Sequence, residues 1–257
     1  VTLAKEPVMP AEDLLPREQY DDIAQRIVFE DNHVLVFNKR CGELSQGDKT
    51  GDVCIPDLIK SFIKQRDAKP GNVFLGLVHR IDRPTSGLLF LAKTSKALSR
   101  MSEAFKSREV TKLYIAIVDG VPAEPRGELR HWMKRVESKN KSFAYDTAGK
   151  DMVEAQLQYE MILKTDRYAF LKINLLTGRH HQIRAQLAAI GLHIRGDLKY
   201  GAKRSLPDGG IDLHAAVLEL PHPVGGNRLR LCAPVGMVRK DNVWDLYRAL
   251  ENDWSKQ

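Results

Sequence analysis

Cysteine is scarce in this chain: Cys41, Cys54 and Cys232 are the three in 257 residues, and no Cys-x-x-Cys pair occurs. That spacing supports neither a disulfide framework nor a thiolate zinc site, so free thiols are expected. No run of about 18 apolar residues is present, which excludes an ordinary transmembrane helix. The N-terminus has neither a basic-then-apolar signal pattern nor an Arg-rich amphipathic transit pattern, and the expected address is cytoplasmic. Also missing are a Walker loop, a G-x-G-x-x-G after a strand, a G-x-S-x-G elbow and an H-E-x-x-H pair. His180 and His181 are adjacent, so on a helix they would diverge by about 100° and make a poor metal pair. No metal and no nucleotide cofactor is the resulting expectation.

Acidic charge falls short of basic, 33 Asp and Glu against 40 Lys and Arg, for a net charge of +7. From Lys93 to Lys141 twelve basic residues stand against six acidic ones, so most of the excess sits in this stretch. Such a cluster suits a nucleic-acid partner and also suits a solvated surface, and charge alone does not choose. Hydrophobic residues make up 43% of the chain, enough for a sizeable core. The length suits one large domain or two small ones, and monomer is the default.

The first twenty-odd residues mix Pro, Glu and Asp without periodicity and read as an extension over 1–25, leaving 26–257 as one catalytic-size domain. Two apolar runs around Glu30-Asp31-Asn32 form a hairpin pattern. A short helix is expected near Ile55 to Gln65. Gly87 to Lys93 is a continuous apolar run, hence a buried strand. Thr94 or Ser95 can cap the next helix, where Leu98, Met101 and Phe105 recur at helical spacing. Leu113 to Val118 is a second buried strand. Val153 to Leu163 alternates strictly and turns at Thr165-Asp166-Arg167 into a partner over Tyr168 to Leu176. Ile183, Leu187 and Ile190 mark one face of a helix that Gly191 can end. Strands outnumber helices and pair as hairpins, so the class is α+β, with a mixed, mostly antiparallel sheet flanked by helices.

Three polar clusters stand where core packing does not ask for them. HRIDRPTSG (His79 to Gly87) sets Asp82 between Arg80 and Arg83, in a loop fixed by Pro84 and Gly87. A carboxylate beside guanidinium groups is held ionised, which suits a nucleophile or base better than an acid catalyst. For an isolated Asp, a loop carboxylate capping local amides is the plainer explanation. TGRHHQIR (Thr177 to Arg184) brings two arginines and two histidines to a helix start, able to hold phosphates or to supply core ion pairs. GDLKYG (Gly196 to Gly201) is a tight polar turn.

HRIDRPTSG resembles the His-Arg-Leu-Asp-x-x-Thr-Ser-Gly signature of RluA-type RNA pseudouridine synthases, with Ile81 in place of Leu. NKRCG (Asn38 to Gly42) resembles Asn-Lys-Pro-x-Gly, and KLYIAIVDG (Lys112 to Gly120) resembles the Lys-x-Tyr-x-Ala-x-Val-x-Gly strand. Thr177 to Gly201 resembles the long Arg-x-His-Gln-Ile-Arg to Gly-Asp-x-x-Tyr-Gly element, and LHAAVLELPHP (Leu213 to Pro223) the last block. The motifs span about residues 26 to 235 in the family's order. Arg40 and His193 each replace a usual Pro, so loop shapes there are expected to differ.

The resemblance implies a pseudouridine synthase fold and an isomerisation of specific uridines in ribosomal or transfer RNA. It implies Asp82 as the nucleophile, Tyr114 as the ring that stacks on uracil, and Arg80 as the filler of the gap left by the flipped nucleotide. An arginine of the second cluster pairs with Asp82, Arg184 favoured over Arg179. His181 is expected at the substrate, with Leu213 at the pocket wall. An isomerisation needs no cofactor. About 25 residues precede the first hairpin, too few for the small N-terminal RNA-binding domain common in the family. RNA binding is then expected to rest on the basic stretch, with Lys134 and Arg135 as contacts. The alternative is a non-catalytic RNA-binding or ribosome-assembly protein of the same fold. Asp82, Tyr114 and Arg184 together argue against it, because a pure binder has no need for an acid facing anionic RNA. A nuclease is weaker still, lacking paired carboxylates for a metal.

Overall fold

The structure, a computed structural model, describes residues 14–48 and 51–254. Helix α1 (Arg17–Gln25) leads into a hairpin of β1 (Ile27–Glu30) and β2 (Val34–Lys39). Then come α2 (Ile55–Arg66), β3 (Gly76–Leu77), β4 (Ser86–Ala92) and α3 (Ser95–Lys106). A run of strands follows: β5 (Thr111–Asp119), β6 (Arg126–Val136), β7 (Lys141–Tyr145), β8 (Val153–Lys164) and β9 (Tyr168–Leu175). Helix α4 (Gln182–Ala189), β10 (His193–Ile194), β11 (Leu213–Pro221), β12 (Arg228–Cys232) and α5 (Asn242–Trp254) complete the described chain.

The twelve strands form one sheet whose main path runs β1-β2-β4-β11-β5-β9-β8-β6-β7. Among its named pairs only β4 with β11 is parallel, so the class is α+β with a mixed, mostly antiparallel sheet. That one parallel pair matters for the site. It sets the starts of β4 and β11 side by side, with Ser86 opposite His214 and Gly87 opposite Ala215. The loops entering both strands therefore meet at one end of the sheet. Gly87 makes the approach possible: its φ is +112°, and a Cβ there would lie 2.3 Å from the Ala215 carbonyl oxygen. Buried Ser86 and His214 are joined across the pair by a 2.9 Å hydrogen bond between Oγ and Nδ1.

Apolar residues cover both faces of this sheet, which explains strands that are apolar on both sides. Leu35 and Phe37 of β2 face Ile59 and Phe62 of α2, while Val34 and Val36 face Met101 of α3 and Leu220 of β11. Around β5, Ala116 and Val118 pack toward Ile183 and Leu187 of α4, and Ile115 and Ile117 toward Trp244 and Tyr247 of α5.

The chain departs from its local sequence pattern at three places. The N-terminal stretch is no featureless arm, since residues 17–25 form α1, whose Ile23 is fully buried beside Phe37. Arg40, where the family pattern has Pro, ties this helix down through two contacts to Asp22. The alternation of β8 fails at both ends: Val153 is exposed, and a register shift between Met161 and Leu163 turns Leu163 toward the α5 side. Ile190 lies at the end of α4 and is exposed, so Ile183 and Leu187 alone anchor that face.

Candidate active site

The end of the sheet where β4 and β11 begin opens into a cleft of about 580 Å³, within the range of small-ligand sites. Asp82 stands in its wall on the loop before β4. Its carbonyl accepts from Thr85 N–H at 3.0 Å, closing the turn that Pro84 occupies, and Ser45 Oγ donates to the neighbouring Ile81 carbonyl at 2.9 Å. Behind the loop lies Lys39, fully buried, whose ammonium donates to the carbonyls of Arg40, Glu43 and Arg83. Burial lowers the Lys39 pKa to about 8, and Glu43 is the leading charge acting against that. The Asn38 to Gly42 motif thus acts as a pin for the Asp82 loop.

The arginines flanking Asp82 in sequence are not its partners. Arg83 turns away to the Gly42 carbonyl and Asp52, and Arg80 is exposed at the rim of the cleft. The contact comes from α4: Arg184 donates from one terminal nitrogen to Asp82 Oδ2 at 3.0 Å. The same guanidinium forms a two-pronged pair with buried Asp197, at 2.6 and 2.8 Å, and lies 5.0 Å from the Tyr200 ring centroid. Burial opposes the Arg184 charge, but Asp197 and then Asp82 outweigh it and hold the pKa above its ordinary value. Arg179 reaches elsewhere, donating to the Glu154 carbonyl at 3.0 Å, although it also lines the cleft.

His180 and His181 do not diverge on a helix. His181 takes a left-handed conformation (φ 53°) just before α4, so the two rings stack with centroids 3.8 Å apart. His181 Nε2 is 3.6 Å from Asp82 Oδ2, and its Nδ1 is 3.0 Å from the Tyr200 hydroxyl. Burial and the nearby Arg184 push its pKa down to about 2, so the ring is neutral at physiological pH. Tyr114, on β5, presents a buried ring to the cleft, and burial followed by the Asp82 charge raises its pKa. Leu213 completes the wall at the start of β11. Asp212 fixes it from behind, fully buried and bonded to Arg195, Arg239 and the Trp244 indole N–H.

Asp82, Tyr114, Arg184, Arg80, Arg179, His181 and Leu213 are therefore brought to one cleft. Lys134 and Arg135 are not among its lining residues. They stand on β6, where alternation sends them to opposite faces. Arg135 pairs in register with Ser142, whose hydroxyl meets His180 Nδ1 at 2.9 Å. The basic stretch divides as well. Lys106, Arg108 and Lys112 line the cleft, whereas Lys93, Arg126 and Arg130 are tied to Glu30, Glu160 and Glu154. Asp197 and Tyr200 lie in the GDLKYG motif and Lys112 opens KLYIAIVDG, but the motifs alone carry no role for these three side chains. Asp82 is the one carboxylate among the described residues lining the cleft. Among the described residues no group of three or more His, Cys, Asp or Glu side chains is placed to hold a metal, and no helix is long and apolar enough to cross a membrane.

Residues 33–189 match the family model described as RNA pseudouridylate synthase. The chain is 31% identical over 248 residues to ribosomal large subunit pseudouridine synthase D of Xylella fastidiosa, covering 90% of this chain and 71% of that one. It is also 31% identical over 229 residues to synthase C of Buchnera aphidicola, covering 86% and 70%. Among solved structures, human RNA pseudouridylate synthase domain containing 4 superposes with a TM-score of 0.74 at 24% identity, over 89% of this chain and 94% of that one.

Proposed function

Because the chain belongs to the RNA pseudouridine synthase family, in its RluA-type branch, we propose that this cleft takes a uridine flipped out of ribosomal RNA and isomerises it with Asp82 as nucleophile. The observation that carries this reading is the one carboxylate among the described residues of a cationic cleft, held by Arg184 beside a buried tyrosine ring. Ribosomal RNA is preferred over transfer RNA because the relatives reported above are named for the large ribosomal subunit. The catalytic domain spans 26–257, and 1–25 is an N-terminal extension whose helix braces the Arg40 loop.

In this reading Asp82 attacks the sugar C1′ and the bond from N1 to that carbon breaks, leaving an ester to Asp82 that is displaced, freeing the carboxylate, when C5 takes its place. The ring turns, C5 bonds to C1′, and the proton that C5 loses is balanced by one gained at N1. Nothing is oxidised, reduced or hydrolysed, so the chemistry calls for positioning and charge rather than a cofactor. Extrusion of the base costs a few kcal/mol. Stacking on Tyr114 returns roughly 1–3 kcal/mol. Arg80, exposed at the rim, enters the space the nucleotide vacates. Arg184 orients the Asp82 carboxylate, and neutral His181 packs beside it without competing for its charge. Leu213 closes the wall, and Arg179 meets the RNA backbone at the mouth.

Mapping pseudouridines in ribosomal and transfer RNA from cells with and without this protein tests the reading. At least one ribosomal position should lose its modification, and purified protein should restore it in extracted RNA. A map unchanged at every position would leave the alternative of a non-catalytic RNA binder.

RNA binding outside the cleft is assigned to β6 and β7, through Lys134 and Arg135. Replacing both by Gln should weaken RNA binding and lower the slope of log affinity against log salt by roughly 1 to 2 units. Arg135, on the His180 side, should account for the larger share. Affinity and slope equal to wild type across the salt range would remove this ribbon from the RNA path.

A further inference from the structure

Among the described residues, three cations lining the cleft, Arg80, Arg108 and Lys112, have no side-chain hydrogen bond and no ion pair, and of these Lys112 alone is half-buried. Burial, and after it the like charge of Arg108, lowers the Lys112 pKa. Asp82, the one acid among the described residues lining the cleft, is engaged by Arg184. A half-buried cation with no acid partner is unfavourable in the empty protein, and an anion brought by the substrate relieves that cost.

Geometry says which part of the substrate this would be. Lys112 and Tyr114 alternate along β5 and so share a face, about 6.6 Å apart along the strand. That is about the distance from a pyrimidine ring to the phosphate of its own nucleotide. The Lys112 ammonium reaches over to Gly178, where a Cβ would lie in ordinary contact 3.7 Å from it, so the nitrogen stands beside another segment of the cleft wall. Arg108 lies on the turn between α3 and β5, exposed at the same end.

We propose that Lys112, assisted by Arg108, forms a subsite for a phosphodiester group of the target nucleotide, adjacent to the uracil site on Tyr114. This inference rests on the reading that Tyr114 carries the base and Asp82 attacks it. The plainer account is a snorkelling lysine whose stem packs on the strand and whose head stays in water.

Lys112→Met keeps the stem and removes the charge, and Lys112→Arg keeps the charge. With extracted unmodified ribosomal RNA, Lys112→Met should raise KM about tenfold and leave kcat within about threefold. Its salt slope should fall by about 0.7 to 0.9, as for one lost phosphate contact. Lys112→Arg should recover most of the KM. As a second measurement that needs no variant turnover, uridine 5′- or 3′-monophosphate should compete with RNA binding to wild-type protein at least about fivefold better than uridine. Lys112→Met should abolish that preference. The proposal is overturned if neither monophosphate outcompetes uridine, if KM and slope match wild type, or if kcat falls with KM unchanged. Asp82→Asn run alongside separates the two levels. Normal turnover by that variant overturns the reading of the whole site, whereas a dead Asp82→Asn with an unaltered Lys112→Met overturns the phosphate subsite alone.

Discussion

Asp82→Asn is expected to lower turnover by at least about 10³-fold, a barrier increase of roughly 4 kcal/mol, while RNA affinity stays within about threefold of wild type. The amide matches the carboxylate in size, so the turn closed by Thr85 N–H and the pin formed by Lys39 are untouched. Arg184 loses one of two acidic partners and keeps the better one, since its two-pronged pair with Asp197 is independent of Asp82. The fold should therefore survive, and unfolding midpoints should confirm it. What disappears is the negative charge at the one carboxylate among the described residues of the cleft. Removing a negative charge from a cationic cleft also favours anionic RNA, so any change in affinity should be toward tighter binding. Single-turnover rates on extracted RNA, with filter-binding affinities beside them, make the measurement. Residual turnover within tenfold of wild type would give the nucleophile's role to another group.

Much of the frame is legible in the sequence for reasons of period and punctuation. The β1–β2 hairpin, β4, α3 with its Thr94 cap, and β9 follow from apolar runs bounded by polar turns. The rest depends on tertiary partners that no local pattern announces. Helix α4 shows one apolar face in its sequence, yet Arg184 and Gln186 are buried too, satisfied by Asp197 in one case and by β6 and β8 carbonyls in the other. The left-handed conformation of His181 is invisible because Gly and Asn, not His, usually advertise it. Without it the two histidine rings would not stack, and Nε2 would not face Asp82. For the site, the order of motifs brought the right segments together. The neighbours of Asp82 misled, because adjacent arginines in a tight turn point outward while the real partner comes from a residue 102 positions away.

The largest stability effect is expected at Asp197, whose place in the GDLKYG turn does not announce a buried ion pair. Asp197 is 1% exposed and Arg184 5%, and their bidentate contact is sealed beneath the Tyr200 ring. Deleting Asp197 leaves the buried Arg184 charge with a single contact to Asp82, at a cost approaching the value of about 3–5 kcal/mol for breaking a buried pair. Asp197→Ala should lose stability on that scale, read from urea unfolding, while Asp197→Asn, which keeps an acceptor, should lose less. Removing both partners is different. In Arg184→Met with Asp197→Ala neither member of the buried pair is left charged and alone, and Asp82 is partly exposed, so the double variant should be more stable than the sum of the single costs indicates. Activity separates a structural from a positioning role. At a temperature where Asp197→Asn is fully folded, its kcat should still fall, because Arg184 is no longer braced against Asp82, and KM should move little. Additive costs in the cycle, or a folded Asp197→Asn with wild-type kcat, would make Asp197 a residue of the turn alone. In that case the orientation of Asp82 would rest on Arg184 without it.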